Sequence, residues 1–446
     1  MKGGVLSRFG TAVDLLEFVL YMDRLFPTLE IDYDEHPAFR RLARIAHWNE
    51  GQLEAWIHEI DHALETIERL QVGGREVELQ FRDAVLPKID ALAAHVDRQL
   101  PGSALRESVA SAFKLCANEI LLDLRCKNAR HLFDNRPLIG PRELPCYESV
   151  SETGLAIAKA NPDDLRELQE HIRAEREAMR RESDANLVGR NVHAYGQYDP
   201  AARLAAAILR KTGIWGAAEK YKQLRLELAY CALELSTERQ TWYRDCYADV
   251  GLPTSDTAYV HYDGNFSVIK ALIYLNDVGL QTGPFRYNSR SLKWKRSVFT
   301  NTLLVHLDHA FGERRYHGYG GTYYRPRFKL PSARSDFVSL PRCFRSSSHF
   351  GDDLLNGSPM SKRLLEAERP VTGPLGTCIL FDGYGGLHRG GLVAKGERWV
   401  INVGLQAEAA NRPAQRARRK LRDGLVRCTR VAGVYSLLKK LQRALS

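Results

Sequence analysis

The chain has 446 residues, 44% of them hydrophobic and 26% charged, the balance of a globular protein with a sizeable core, and its length calls for two or three domains. No apolar run approaches the ~20 residues of a membrane helix, which argues against a helical membrane protein. The net charge of +10 is a property of the end of the chain: from residue 411 onward there are eleven Lys or Arg and one acid, Asp423, so residues 1–410 sum to zero. A nucleic-acid groove spread over the body of the fold thereby loses its main support.

The opening stretch MKGGVLSRFGTAVDLLEFVLYMDRLF holds Asp14 and Glu17 among its apolar residues and lacks a small-residue cleavage site. It reads as an amphipathic helix and not as a signal peptide. HPAFRRLARIAHW, EGQLEAWIHEIDHALETIERLQ, ELQFRDAVLPKIDALAAHVDRQL and ALRESVASAFKLCANEILLDLRC place apolar residues at three- and four-residue steps, so residues 1–135 are expected to form a helical N-terminal domain. Gly73-Gly74 and Pro101-Gly102 punctuate these segments. FDNRPLIGPRELPCY, around 131–147, carries three prolines and reads as a linker.

Two further helices are expected at 164–182 and 220–240. From about 241 the period becomes strand-like: TWYRDCYADV, TAYVHYD, VIKALIYLNDV, GTCILFDGY and RWVINVGLQ are short, rich in β-branched and aromatic residues, and bounded by Gly, Pro, Asp and Asn. Helices followed by short strands predict an α+β chain whose second domain, 148–410, has an antiparallel sandwich or barrel core. An insertion at 286–372 interrupts it. The insertion contains FGERRYHGYGGTYYRPRFKLP, which suits either a glycine-hinged lid over an anionic or sugar-bearing substrate or an irregular surface loop. The tail, 411–446, spaces Leu421, Leu425, Cys428, Val431, Tyr435, Leu438, Leu441 and Leu445 by three to four residues. It is expected to be a basic amphipathic helix that docks on the domain or makes peripheral contact with an anionic membrane.

Eight cysteines are scattered without a Cys-x-x-Cys pair, the pattern of free thiols in a reducing, cytoplasmic setting. Chemistry concentrates at His261-Tyr262-Asp263, His388 and, ten residues further on, Arg398. Two imidazoles and a carboxylate are the ligand set of a facial iron triad, which leaves positions open for oxygen and a co-substrate. On a strand, His261 and Asp263 project to the same side. Arg398 suits bidentate capture of a carboxylate. Lys270 and Tyr274 lie on the strand after the His-x-Asp clip and are candidates for facing the same cavity.

Two other motifs compete. His306-Leu307-Asp308 repeats the His-x-Asp spacing, but in the helix-like run TNTLLVHLDHAF, where residues two apart diverge. His58-Glu59-Ile60-Asp61-His62 matches His-Glu-x-x-His, the helical zinc-protease signature. Its charged Asp61 and the missing downstream histidine favour a solvated helix face.

HYDGN, IKALIYLNDVGLQTGPF, PLGTCILFDGYGGLHRGGL and ERWVINVGL together resemble the iron(II)/2-oxoglutarate-dependent dioxygenases. Within that superfamily they are most similar to the phytanoyl-CoA dioxygenase-like branch. The likeness covers about 241–406. Where the branch often carries Pro-Gly-Ser-His, this chain reads GPFRYNSRSLKW, so its substrate-side loop departs from the pattern. The prolyl-hydroxylase-like branch usually has lysine at the position of Arg398. The resemblance implies a double-stranded β-helix (jelly-roll, cupin-like) core, with Fe(II) on His261, Asp263 and His388. It further implies that Arg398 binds the 5-carboxylate of 2-oxoglutarate and that O2 is the oxidant. The expected enzyme hydroxylates a small polar or anionic metabolite such as a sugar or natural-product intermediate. A non-catalytic scaffold on the same fold and a nucleic-acid demethylase are the alternatives.

Overall fold

The computed structural model describes residues 36–40, 42, 48–70, 74–132, 140–186, 190–239, 247–263, 268–294, 297–311, 331–345, 351 and 354–407. The opening helix expected at 1–26, the Arg- and Tyr-rich stretch 312–330 and the basic tail 411–446 lie outside these residues. No helix among the described residues is long and apolar enough to cross a membrane.

The N-terminal helices follow their apolar spacing. α1 (Glu50–Arg69) begins where the Asn49 side chain accepts a hydrogen bond from the Gln52 amide, satisfying a donor that the helix itself leaves open. Its stripe of Leu53, Ile60, Leu64 and Ile67 is buried. α2 (Gly74–Gln80), a π-helical turn over Phe81–Val85, and α3 (Leu86–Gln99) run on from one another, followed by α4 (Ser103–Leu132). The insertion contributes α10 (Val298–Phe311), α11 (Pro331–Val338) and α12 (Arg342–Arg345). These do not form a separate unit: Phe299, Leu303 and Phe344 share one core with Leu53, Leu92 and Phe113. The insertion thus completes the helical layer that the N-terminal segment begins.

Residues 133–139 of the expected linker lie outside the described residues, but its C-terminal part is helical. α5 (Leu144–Thr153) takes Pro145 in its first turn, where a missing N–H costs nothing, and stops at Gly154 in the left-handed conformation. The helix expected at 164–182 is present as α6 (Pro162–His171) and α7 (Arg173–Asn186). α8 (Pro200–Lys211) and α9 (Ile214–Lys222) follow, with α13 (Pro359–Ala367) late in the chain.

The helix expected at 220–240 is a correction: α9 ends at Lys222, and Leu226–Thr237 is a strand. LELAYCALELST alternates leucine with Glu227 and Glu234 at its two ends, but a register shift between Leu228 and Tyr230 breaks the two-residue period in the middle and leaves a helix-like spacing. Of the segments expected as strands around 241–263, residues 241–246 lie outside the described residues and the rest differ. Ala248–Val250 is a 3-10 turn, and residues 256–259 form a turn in which Tyr259 sits at φ 67°. Among the described residues there, His261 alone is sheet-paired, through a single bridge.

The fold is mixed α and β with antiparallel sheets. β1 (Leu155–Lys159), β2 (Arg190–Tyr195), β3 (Leu226–Thr237), β4 (Val268–Tyr274), β7 (Thr377–Phe381) and β9 (Glu397–Ala407) make a six-stranded sheet in the order β1-β7-β4-β9-β3-β2. β5 (Phe285–Asn288), β6 (Arg369–Val371) and β8 (Leu387–Gly390) make a three-stranded sheet in the order β6-β5-β8. Tyr274, Phe381 and Val400 from the larger sheet pack against Phe285, Tyr287 and Val371 from the smaller. The opposite face of the larger sheet is covered by helices: Trp399, Ile401, Val403 and Leu405 join a core with Leu168, Leu209 and Trp215. Alternation along β9 therefore points Arg398, Val400 and Asn402 toward the smaller sheet and Trp399 and Ile401 away from it.

Candidate metal centre

The two histidines meet across the edge of the smaller sheet. His388 is the second residue of β8, paired with Tyr287 of β5 on one side and bridged to His261 on the other. The amide of each histidine donates to the other's carbonyl at 3.0 Å. Their rings stand 4.4 Å apart. His261 Nδ1 lies 2.8 Å from the Tyr259 carbonyl, and His388 Nδ1 lies 3.0 Å from that of Gly386. A carbonyl only accepts, so both Nδ1 atoms carry the proton and each Nε2 is left with a lone pair to offer a metal.

Asp263 completes the set. Its amide donates to the Gly383 carbonyl at 2.8 Å, which ties the 261–263 segment to the turn preceding β8. His261 Nε2 stands 3.8 Å from Asp263 Oδ1 and His388 Nε2 stands 3.6 Å from Oδ2. One donor atom from each of the three residues falls within 4.8 Å of the others, and among the described residues this is the one group of such ligands. Burial raises the Asp263 carboxyl, but the Lys270 ammonium, followed by the two imidazoles, outweighs that and holds it well below the usual carboxylate range. Lys270 Nζ donates to Oδ1, whereas Oδ2 is buried without a hydrogen-bond partner. A buried carboxylate oxygen lacking a donor, facing two imidazole lone pairs, is a donor set that calls for a cation.

Of the other predicted site residues, Arg398 is buried between the two sheets. It donates to the Gly283 carbonyl and, at 3.2 Å, to Ser236 Oγ, its cross-strand partner on β3. Tyr274 is also buried, but its hydroxyl is engaged within the protein, donating to the Val371 carbonyl and accepting from the Phe285 amide. Burial pushes it up to about 12, against the opposing charge of Arg398 nearby. Lys270 faces the centre through Asp263.

The competing motifs fall elsewhere. His306 is in α10 and pairs with Glu119 of α4 at 2.7 Å. His58 and His62 are exposed on α1, where Glu59 pairs with Lys88 at 2.8 Å. Asp61, the residue that breaks the zinc-protease pattern, is bound by the Ser297 side chain and the Phe299 amide at the start of α10.

Three supporting residues escape sequence reasoning because their partners are far away along the chain. Arg389 makes a two-pronged pair with Glu368 at 2.8 Å for each bond and also donates to the Asp256 and Ala258 carbonyls. It thereby anchors the segment that delivers His261. Asp382 organises the turn before His388. Its carboxylate accepts from the Gly385 amide at 3.0 Å and the Tyr221 hydroxyl at 2.8 Å, and its carbonyl accepts from the Tyr287 hydroxyl at 3.2 Å. Gly383 lies so close to the ligands that a Cβ there would be 1.9 Å from Asp263 Oδ2. The one local signal was the Gly-rich run FDGYGG after β7.

The sequence matches no protein-family model and no curated protein. Among solved structures the chain is similar to AviO1 from Streptomyces viridochromogenes Tue57, at 16% identity and a TM-score of 0.33, covering 60% of this chain and 97% of that one. It is similar to HygX from Streptomyces hygroscopicus, solved with nickel and 2-oxoglutarate bound, at 12% identity and a TM-score of 0.33, covering 61% of this chain and 88% of that one. EctD from S. alaskensis, in its apoform, gives 12% identity and a TM-score of 0.33, covering 62% of this chain and 79% of that one. At such values the likeness is too slight to bear on function, which rests on the geometry of His261, Asp263, His388 and Arg398.

Proposed function

We propose that the protein is an Fe(II)- and 2-oxoglutarate-dependent oxygenase that hydroxylates a small polar or anionic metabolite, such as a sugar or natural-product intermediate. The observation that carries this reading is the convergence of two Nε2 lone pairs and an ionised, partly unsatisfied carboxylate between two antiparallel sheets, with a buried arginine on the adjoining strand. The order in which the chain alternates between sheets supports a double-stranded β-helix. β3 lies in the larger sheet, His261 bridges to the smaller, β4 returns to the larger, β5 and β6 lie in the smaller, and β7, β8 and β9 alternate again.

In this reading His261, Asp263 and His388 hold the iron, and Arg398 holds the far carboxylate of 2-oxoglutarate. Bound iron, 2-oxoglutarate and O2 supply the oxidising power for a C–H bond. The protein contributes position and dryness. Lys270 keeps Asp263 ionised and fixed, the carbonyls of Tyr259 and Gly386 orient the imidazoles, and Phe285, Phe381 and Val400 wall the space between the sheets. Polarity on the same face of the larger sheet suits a hydroxylated substrate. Asn402 donates to Glu234 at 2.9 Å and Gln406 to Glu227 at 3.1 Å, while the Tyr230 ring lies against Gly404, opposite Lys270. The free thiols of Cys116, Cys146, Cys231, Cys343 and Cys378 suit a cytoplasmic protein, with the basic tail as its contact to an anionic membrane surface.

Anaerobic addition of Fe(II) and 2-oxoglutarate tests the assignment. A visible charge-transfer band is expected in the wild type and absent in His261→Ala and His388→Ala, together with substrate-dependent succinate formation. A wild-type protein without the band is a binding protein or scaffold, and the proposal fails.

A further inference from the structure

β9 turns consecutive residues to opposite faces of the larger sheet, Arg398 toward the metal centre and Trp399 toward the helices. Over Trp399 the two helices α6 and α7 flank an open cavity of 340 Å³ whose walls include Arg166, Arg173, Arg176, Arg180, Glu170 and Glu177. Four arginines and two glutamates line it, and Asp163 and Glu397 neutralise two of the arginines, so the surroundings carry no net excess of charge.

The arginines are not equivalent. Arg180 pairs with Glu397 and Arg166 with Asp163. Arg173 and Arg176 form no ion pair or hydrogen bond with any described residue. Arg176 is half-buried, its guanidinium 5.0 Å from the centroid of the Trp399 ring. Trp399 itself is 1% exposed, and its Nε1 is buried without an acceptor. An indole N–H can only donate, and so can a guanidinium. Buried donors are nearly always satisfied, yet the Trp399 N–H lacks an acceptor, and the half-buried Arg176 guanidinium beside it has no side-chain partner among the described residues.

We propose that this cavity is a second ligand site, separate from the metal centre, for a small anion that presents carboxylate or phosphate oxygens. Arg173 and Arg176 bind the charge, and Trp399 supplies a floor and an N–H. Charge-assisted bonds from guanidinium to such oxygens are the strong class. The volume lies at the small end of the roughly 300–1,000 Å³ of ligand pockets, which admits a metabolite and not a nucleic-acid strand or a protein segment.

Isothermal titration of the full chain with sodium phosphate and, separately, with disodium succinate, at an ionic strength fixed by sodium chloride, tests this. Saturable one-to-one binding is expected for at least one probe. Phosphate alone identifies a phosphoryl ligand, and succinate alone a dicarboxylate. Arg173→Gln/Arg176→Gln should weaken binding at least tenfold and Trp399→Phe severalfold, each at an unchanged far-ultraviolet dichroism spectrum. Arg398→Ala should leave it intact. Absence of saturable binding above the chloride background overturns the proposal. So does binding that survives the double arginine variant or is lost in Arg398→Ala, since the latter belongs to the inner site.

Discussion

Gly383→Ala should separate ligand geometry from folding. Gly383 lies outside the left-handed region, so alanine meets no backbone penalty there and the effect is purely steric. Its Cβ would stand 1.9 Å from Asp263 Oδ2 and 3.0 Å from His388 Cε1, against an ordinary contact of about 3.5 Å. The turn cannot simply retreat, because the Gly383 carbonyl holds the Asp263 amide at 2.8 Å and Asp382 pins the turn from the other side. The carboxylate is therefore the part that moves. Overpacking of this kind costs about 1–3 kcal/mol. Charged wholly to the metal-binding equilibrium, that is roughly a 5- to 150-fold loss of affinity. Anaerobic isothermal titration with Fe(II), or with Mn(II) as its air-stable substitute, measures it beside a thermal melt. Gly386→Ala is the control, because the new methyl meets the Tyr287 hydroxyl at 2.1 Å and not a ligand; it should lower the melting temperature more than the intrinsic metal affinity. If Gly383→Ala bound metal within twofold of wild type, the steric reasoning, and Asp263 as a ligand, would be refuted.

Three further outcomes are expected. Arg398→Lys keeps a charge but loses the two-pronged geometry, and should raise the 2-oxoglutarate requirement at least tenfold while leaving Fe(II) affinity in place; an unchanged requirement removes the arginine from the site. Asp382→Asn and Tyr221→Phe disturb the turn without touching a ligand, and loss of outer support typically weakens metal binding by about 10- to 100-fold; the Fe(II) titration should show this with Asp382→Asn the more severe. Asp61 follows pH: burial raises its carboxyl from 3.8 to about 6, despite opposing hydrogen bonds from Ser297 and Phe299. The folded state thus holds this proton to higher pH than the unfolded state, so its contribution is most favourable below 3.8, falls as pH rises toward 6, and is flat above. Asp61→Asn should accordingly stabilise by about 2 kcal/mol at pH 7.5, after allowance for partial exposure, and by little at pH 4; equal melting shifts at both pH values would contradict it.

What the sequence made legible was the chemistry, and what it hid was the support. His261, Asp263, His388 and Arg398 stand out because their roles depend on residue type and short spacing, and such patterns survive in one dimension. The strand expected to present His261 is instead a turn with Tyr259 at positive φ. The histidine is oriented by one bridge to His388, and nothing local encodes that pairing. β3 was obscured by the irregularity between Leu228 and Tyr230, which interrupts the alternation that identifies strands. The insertion's helices were recognisable only as a long departure from strand pattern, because their partners, Leu53 and Phe113, lie far toward the N-terminus. Arg389 and Asp382 sit inside the recognisable motifs, yet their partners are Glu368, the 256–258 backbone and Tyr221. On the proposed reading, these distant partners are what would hold the three ligands in place. A sequence with the same His-x-Asp, His and Arg but without a carboxylate for Arg389, or with a bulkier residue at 383, would read alike and coordinate poorly. The useful sequence criterion for this site is therefore the motif together with Glu368, Asp382 and Gly383.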